Sequence, residues 1–231
     1  MKKKITVFIL FALIIVSNIF AFIFIQNLKE EIATTRVMHT KNMEEMMKTV
    51  EEETEREMVK SNPIYFVGDS ITRRNDWQNT FPYISIVNKG IDGNKTSDLL
   101  KRIEPIANAH PSKLFLMIGI NDFLRNKEFD ETVKNYEKIL QTIKDKSPHT
   151  VIYVQSVLPI SRTLPRYSNQ DLVRFNQQIK GLASKYNATY IDLYPLFLQN
   201  GHLGGQYAVD GLHLSKTGYD LWTQKISSYI K

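Results

Sequence analysis

"YFVGDSITRRNDW", residues 65–77, is the stretch on which the reading of this chain turns. An apolar run stops at Gly68-Asp69-Ser70, and polar, helix-compatible residues follow. That is the outline of a strand passing into a helix through a tight turn. Asp or Ser at a helix start accepts hydrogen bonds from backbone N–H groups that have no partner inside the helix, so Ser70 has a structural reason to stand there. It also has the chemistry of a nucleophile delivered by the end of a strand. The local motif fits both roles. The rest of the chain must supply a base, an orienting acid and an oxyanion site.

Working outward, short apolar, β-branched runs alternate with amphipathic stretches from Ile64 onward. "IYFV" (64–67), "ISIVN" (84–88), "LFLMI" (114–118), "VIYVQSV" (151–157) and "TYIDL" (189–193) read as strands. Between them, Val133, Tyr136, Leu140 and Ile143 share one helical face, as do Leu172, Phe175, Ile179, Leu182 and Tyr186. Ser215 caps a last helix carrying Leu221, Trp222, Ile226 and Tyr229. This alternation predicts an α/β fold, a parallel sheet with helices on both faces. Ligands of such sheets bind beyond the carboxyl ends of the strands. Gly68-Asp69-Ser70 follows the first strand, "NKGIDGN" with Gly93 the second, and "GIND" with Gly119, Asn121 and Asp122 the third. "VDGLHLS", with Asp210 and His213, precedes the final helix.

Those turns hold the parts that acyl transfer needs. A serine hydroxyl requires a base such as histidine, held in one tautomer by a carboxylate, and Asp210 and His213 have the right identities three residues apart. Of the other histidines, His39 falls in a charged helical stretch, His110 and His149 beside loops, and His202 without a nearby carboxylate. Donors for a tetrahedral oxyanion are available in the N–H of Ser70, the N–H of Gly93 and the amide of Asn121. Singly, a turn glycine, a helix-capping asparagine and an Asp-x-x-His pair are each ordinary. Their coincidence at one rim carries the weight.

The set Gly68-Asp69-Ser70, Gly93, "GIND" with Asn121, and Asp210-x-x-His213 resembles, in order, the four blocks of the SGNH/GDSL hydrolase family. The resemblance covers about residues 63–231. It implies a flavodoxin-like three-layer α/β/α sandwich on a five-stranded parallel sheet. It implies Ser70 as nucleophile, His213 as base, Asp210 as its orienting partner, and an oxyanion hole of Ser70, Gly93 and Asn121. Two departures, "GIND" for Gly-Thr-Asn-Asp or Gly-Gly-Asn-Asp and "GDSI" for Gly-Asp-Ser-Leu, touch none of these groups. There is no Gly-x-Ser-x-Gly elbow, so the α/β-hydrolase arrangement is not the expectation.

Upstream lies a different kind of sequence. Ile5 to Ile25 is an apolar run interrupted only by Thr6, Ser17 and Asn18. As a helix it spans about 31 Å, enough to cross a hydrocarbon core. Its length and the absence of a well-placed small-x-small site favour a retained signal-anchor over residues 1–26 rather than a cleaved signal peptide. Lys2, Lys3 and Lys4 place the N-terminus in the cytoplasm and the remainder outside, at a cell membrane crossed once. Residues 27–61 contain no Gly or Pro and read as a polar helical stalk with a broken apolar stripe (Leu28, Ile32, Met43, Met46, Val50) open to self-association. Pro63 ends it. Residues 62–231 form the hydrolase domain.

Charge and composition set further bounds. The net charge of +6 is uneven: +3 over residues 1–26, −3 over 27–61 and +6 over 62–231. A basic domain suits an anionic polymer or surface, but its Lys and Arg are scattered, with no nucleic-acid motif, so no nucleic-acid partner is expected. Without cysteine, disulfides, thiolate catalysis and Cys-based zinc sites are excluded. The dispersed histidines and the chemistry of the set call for no metal and no cofactor. The expected substrates are small acyl esters, O-acetyl groups on extracellular or wall carbohydrate first, in a membrane-anchored bacterial enzyme. Arg73, Arg74, Trp77, Arg162 and Arg166 are candidates for the mouth of the site. Alternatives with the same residues are an O-acetyltransferase for wall polysaccharide, a lysophospholipase at the membrane surface, and a tethered binding protein without activity.

Overall fold

The structure, a computed structural model, describes residues 2–125, 128–162, 164 and 168–230, by backbone alone at 2–12 and 58. The chain divides into two compact units, Met1–Thr54 and Glu55–Lys231. The first is helical, occupied by helix α1 (Lys2–Lys60), which also supplies the opening turn of the second. Among the described residues, this helix is the one long and apolar enough to cross a membrane. Its side chains from Leu13 to Ile25 stand open, Phe20 being 70% exposed. A surface of that kind is at ease in hydrocarbon rather than water.

In the second unit α1 stops at Lys60. The Asn62 N–H turns back to the Val59 carbonyl at 3.0 Å, and Pro63 disfavours a helical residue before it. The elements that follow are β1 (Ile64–Gly68), α2 (Ser70–Arg73), α3 (Trp77–Thr80), β2 (Ile86–Gly90), α4 (Thr96–Leu100), α5 (Ile103–Ala107), β3 (Lys113–Met117) and α6 (Ile120–Leu124). Next come α7 (Phe129–Lys146), β4 (Val151–Gln155), α8 (Asn169–Lys185), β5 (Thr189–Ile191) and α9 (Tyr194–Phe197). The small hairpin of β6 (Leu198–Gln199) and β7 (His202–Leu203) precedes the last helix, α10 (Lys216–Ile230).

Strands β1 to β5 form one parallel sheet in the order β2-β1-β3-β4-β5. This is the expected α/β fold with its five-stranded sheet, and the order places the switch in winding direction between β1 and β3. Strand limits shift from the sequence reading. The second strand runs 86–90 rather than 84–88, because Ile84 is held in a turn by its N–H bond to Phe81 O (3.1 Å). The strand extends instead through Asn88 and Lys89, whose polarity hid it. The Asn88 amide reaches across to the carbonyls of Thr72 (3.2 Å), Arg73 (3.0 Å) and Asn75 (3.2 Å), closing the end of α2. The third strand starts and ends one residue earlier than read, the fourth stops at Gln155 and the fifth at Ile191. There the chain leaves the ladder, and the buried Ser156 hydroxyl accepts from the N–H groups of Leu193 and Tyr194, both at 2.8 Å.

One face of the sheet is aromatic. Phe66 and Phe115 are opposite in register and stack at 4.8 Å, and Phe115 stacks on Tyr153 at 4.6 Å. Trp77 lies flat on Phe66 (3.8 Å) and meets the edge of Trp222 from α10, so α3 and α10 cover this face. Both tryptophans are buried with their indole N–H groups paired, to Thr72 O and Gln155 Oε1. Truncating Phe66 to Ala would cost about 3–5 kcal/mol. In α7 the residues Tyr136, Ile139, Leu140 and Ile143 are buried, and in α8 Leu172, Phe175, Ile179 and Ala183. Acidic residues open α7 and Lys144 and Lys146 close it, matching the helix dipole.

Candidate active site

β1 ends at Gly68, and Asp69 caps α2 by accepting the Ile71 N–H at 3.0 Å. Ser70 is therefore the first residue of a helix at a strand's carboxyl end, only 5% exposed. Its hydroxyl lies 2.9 Å from Nε2 of His213. The other ring nitrogen, Nδ1, lies 2.6 Å from Oδ2 of Asp210. Asp210 Oδ1 in turn accepts the N–H groups of His213 (2.8 Å) and Leu212 (3.1 Å), a turn made possible by Gly211 at φ +83°. The three-residue spacing thus lets one carboxylate hold both the backbone and the ring of His213. Burial pushes the Asp210 carboxyl up, but the hydrogen bonds from His213 and Leu212 outweigh it and keep the group below its ordinary value. The Tyr219 hydroxyl of α10 donates to Ile71 O (2.8 Å), tying the segment after His213 to the helix that begins with Ser70.

Gly93 and Asn121 converge on the same end of the sheet, beyond β2 and β3 on either side of β1. Gly93 has φ +71°, a conformation side chains resist, and Asn121 donates through Nδ2 to Asn94 O at 3.0 Å. The amide keeps a second N–H for another acceptor. Ser70, Asp210 and His213 are thus brought into one hydrogen-bonded line, and Gly93 and Asn121 into one loop contact beside it. Neither Gly93 N–H nor the Asn121 amide is fixed by a strand, so the loop that holds them needs its own supports.

Two such supports carried no local sequence signal. Arg102, half-buried, donates through Nε to Asn94 Oδ1 (2.9 Å), Nη1 to Lys89 O (3.0 Å) and Nη2 to Gly68 O (3.1 Å). One guanidinium thereby joins the ends of β1 and β2 to the 91–95 loop, and burial lowers its pKa against the pull of Asp98. Asp122, beside Asn121, accepts from the Thr96 N–H (2.9 Å) and hydroxyl (2.7 Å), pinning α4 to α6. Burial raises its carboxyl, with the Thr96 bonds opposing. Polar residues with partners 26 or 34 positions away look like surface residues in a sequence.

The candidates for the mouth separate. Trp77 belongs to the core, packed on Phe66. Arg73 is exposed and paired with Asp92 at 2.9 Å. Arg74 and Arg162 are exposed, and Arg166 lies outside the described residues. Among the described residues there is no group of three or more His, Cys, Asp or Glu placed to hold a metal ion.

The chain resembles known proteins in sequence and in fold. The model of the GDSL-like Lipase/Acylhydrolase family matches residues 66–221. The bovine (Bos taurus) platelet-activating factor acetylhydrolase IB subunit alpha1 is 25% identical over 168 residues, 69% of this chain and 71% of that protein. A solved protein of Streptococcus pneumonia, provisionally named a platelet activating factor, superposes with a TM-score of 0.68 at 28% identity, covering 84% of this chain and 99% of that one. An acetyl xylan esterase, AlAXEase, shares the fold with a TM-score of 0.62 at 22% identity, covering 73% of this chain and all (100%) of its own. The match spans more than half of the sequence and reaches all five strands of the sheet: the chain is a hydrolase of the GDSL-like lipase/acylhydrolase family.

Proposed function

We propose that the protein is a membrane-anchored serine esterase that removes small acyl groups, O-acetyl first, from carbohydrate outside the cell. The observation that carries this is the line Ser70 Oγ, His213 Nε2, His213 Nδ1, Asp210 Oδ2, with separations of 2.9 and 2.6 Å. As Ser70 Oγ attacks the ester carbon, its proton passes to His213 Nε2, and the carbonyl electron pair moves onto oxygen. The Ser70 N–H has no acceptor within its helix, and with the Gly93 N–H and the Asn121 amide it is offered to that oxyanion. Collapse expels the alkoxide, which takes the proton from His213 and leaves an acyl-Ser70. Water, deprotonated by His213, then releases the acid and restores the serine. Asp210 holds the ring with Nδ1 protonated throughout, so that Nε2 begins each half-reaction as the acceptor.

The small acyl group is supported by the bovine relative, an acetylhydrolase by name. An anchor in residues 1–26 with the triple-lysine end inside, in a bacterial cell, puts the domain on the wall side and suits a polymeric substrate. The test is hydrolysis of p-nitrophenyl acetate, butyrate and octanoate by the detergent-solubilised full chain, with Ser70→Ala and His213→Ala alongside. Turnover favouring acetate and lost in both variants is expected. Turnover that survives Ser70→Ala would reject the serine mechanism, and a preference for octanoate would move the substrate to lipid.

A further inference from the structure

The loop that carries Gly93 has an arginine laid against it. A Cβ built on Gly93 would stand 2.9 Å from Nη2 of Arg125, so the guanidinium covers the open face of that glycine with no side chain between. Arg125 ends α6 four residues after Asn121. Asn121 inside α6 and Arg125 at its C-cap both reach the same loop, Asn121 through Asn94 O.

The charges around it are committed elsewhere. Arg73 is paired with Asp92, and all three nitrogens of Arg102 are spent on Asn94, Lys89 and Gly68. Arg125 is exposed, and among the described residues no carboxylate meets its side chain. Lys95 adds a second positive charge on the same loop. A guanidinium is a planar, weakly hydrated fork whose geometry matches carboxylates and phosphates, and it loses little when it leaves water for such a partner.

We infer that Arg125 forms a subsite for an anionic group of the acylated polymer, a carboxylate or a phosphodiester, next to the bond that is cut. The inference rests on the esterase reading, which places the Gly93 N–H at the oxyanion. It goes further by naming the substrate class: an anionic glycan or polyol phosphate rather than a neutral one. A substrate anion seated on Arg125 positions the neighbouring acyl ester over Ser70 while neutralising a charge that the fold leaves unpaired. It also gives binding a salt dependence that a neutral polymer lacks.

Calorimetric titration of the full-length protein in detergent, in 50 mM and 500 mM NaCl, tests this with three probes: polygalacturonate, poly(glycerol phosphate) and neutral xylan. At least one polyanion is expected to bind at low salt, at least tenfold more weakly to Arg125→Gln than to the unaltered chain. Arg125→Lys should recover part of the loss, and xylan should not discriminate among the variants. Lys138→Gln, which removes the same charge from the exposed side of α7, should bind as the unaltered chain does. Which polyanion binds separates carboxylate from phosphodiester. Absence of polyanion binding, equal binding by Arg125→Gln, or an equal loss in Lys138→Gln would each overturn the subsite. Ser70-dependent turnover of p-nitrophenyl acetate is read separately, so a failure of the esterase reading shows there and not in the titration.

Discussion

The side chain of Arg102 donates to the backbone carbonyl of Gly68 across 3.1 Å, linking a residue outside the candidate site to the strand end that delivers Ser70. The same group holds Asn94, neighbour of Gly93. On the proposed mechanism, Arg102 is a positioning residue that fixes the distance between Ser70 and the Gly93 loop without touching a substrate. Displacements of about 1 Å at such a site cost up to about a hundredfold in rate. Arg102→Gln is expected to lower kcat at least tenfold while KM for p-nitrophenyl acetate stays within a factor of about two. Arg102→Lys should recover part of kcat. A loss confined to KM would contradict a positioning role.

Asp210→Asn tests the orientation of the imidazole. An amide in place of the carboxylate can donate to Nδ1 and so favours the tautomer in which Nε2 carries the proton. A drop in kcat of about 10⁴ is expected, the scale of the corresponding change in serine proteases. The folded state should survive, because the carboxamide oxygen still accepts from the backbone of Leu212 and His213. Steady-state kinetics with a circular-dichroism control reads both.

Asp122→Ala strips Thr96 of its acceptor. Thr96 is fully buried, so its N–H and its hydroxyl proton would both lose their acceptor away from water, while the hydroxyl oxygen keeps the Asn135 amide at 3.4 Å. An unsatisfied buried polar group costs about 1–3 kcal/mol, which puts the expected loss at about 3 kcal/mol or more. In a unit of this size that lowers Tm by about 6–12 °C. Asp122→Asn keeps one acceptor and should lose about half as much. Thermal unfolding followed at 222 nm decides it. An unchanged Tm in Asp122→Ala would mean that water replaces the carboxylate.

Asp69 is expected to contribute to how stability responds to pH. Burial raises its carboxyl to about 7, with the Ile71 N–H opposing and the charge of Asp122 adding to the rise. Below about pH 4 both the folded and the unfolded chain hold this proton. Between about 4 and 7 only the folded chain does, so stability falls as pH rises, by at most about 4 kcal/mol in total. Above 7 the contribution is level. Asp210, held low by His213 and Leu212, works in the other direction: its stabilisation is full above the ordinary carboxylate range and is lost on acidification. Asp69→Asn keeps the acceptor for Ile71 and is expected to flatten the decline between pH 5 and 7 in chemical denaturation. An unaltered slope would assign that decline to other groups.

The fold was legible because its strands are nearly continuous apolar runs, as central parallel strands must be. β1 and β3 bury Phe66, Val67, Phe115 and Leu116 completely. At the edge the signal failed, since β2 spends Asn88 on closing α2 rather than on a buried face. Trp77 looked like a rim residue from its arginine neighbours and is stacked in the core, a distinction only packing makes. Ser70, Asp210 and His213 were legible as residue types at turns, and topology then brings Ser70 to His213 across 143 positions. Arg102, Arg125 and Asp122 were not legible in their structural parts. Each gains its meaning from a backbone or side chain that reaches it only after the sheet has formed.

The bond from Tyr219 to the Ile71 carbonyl has a consequence for the order in which the protein is made. Ser70, Gly93 and Asn121 leave the ribosome well before Asp210, His213 and the helix that clasps α2. On the proposed mechanism, a chain halted before them has a serine with no base, and Trp77 has no Trp222 against its edge. On that mechanism, a premature stop between Asn121 and Asp210 releases an inert chain rather than an unregulated esterase.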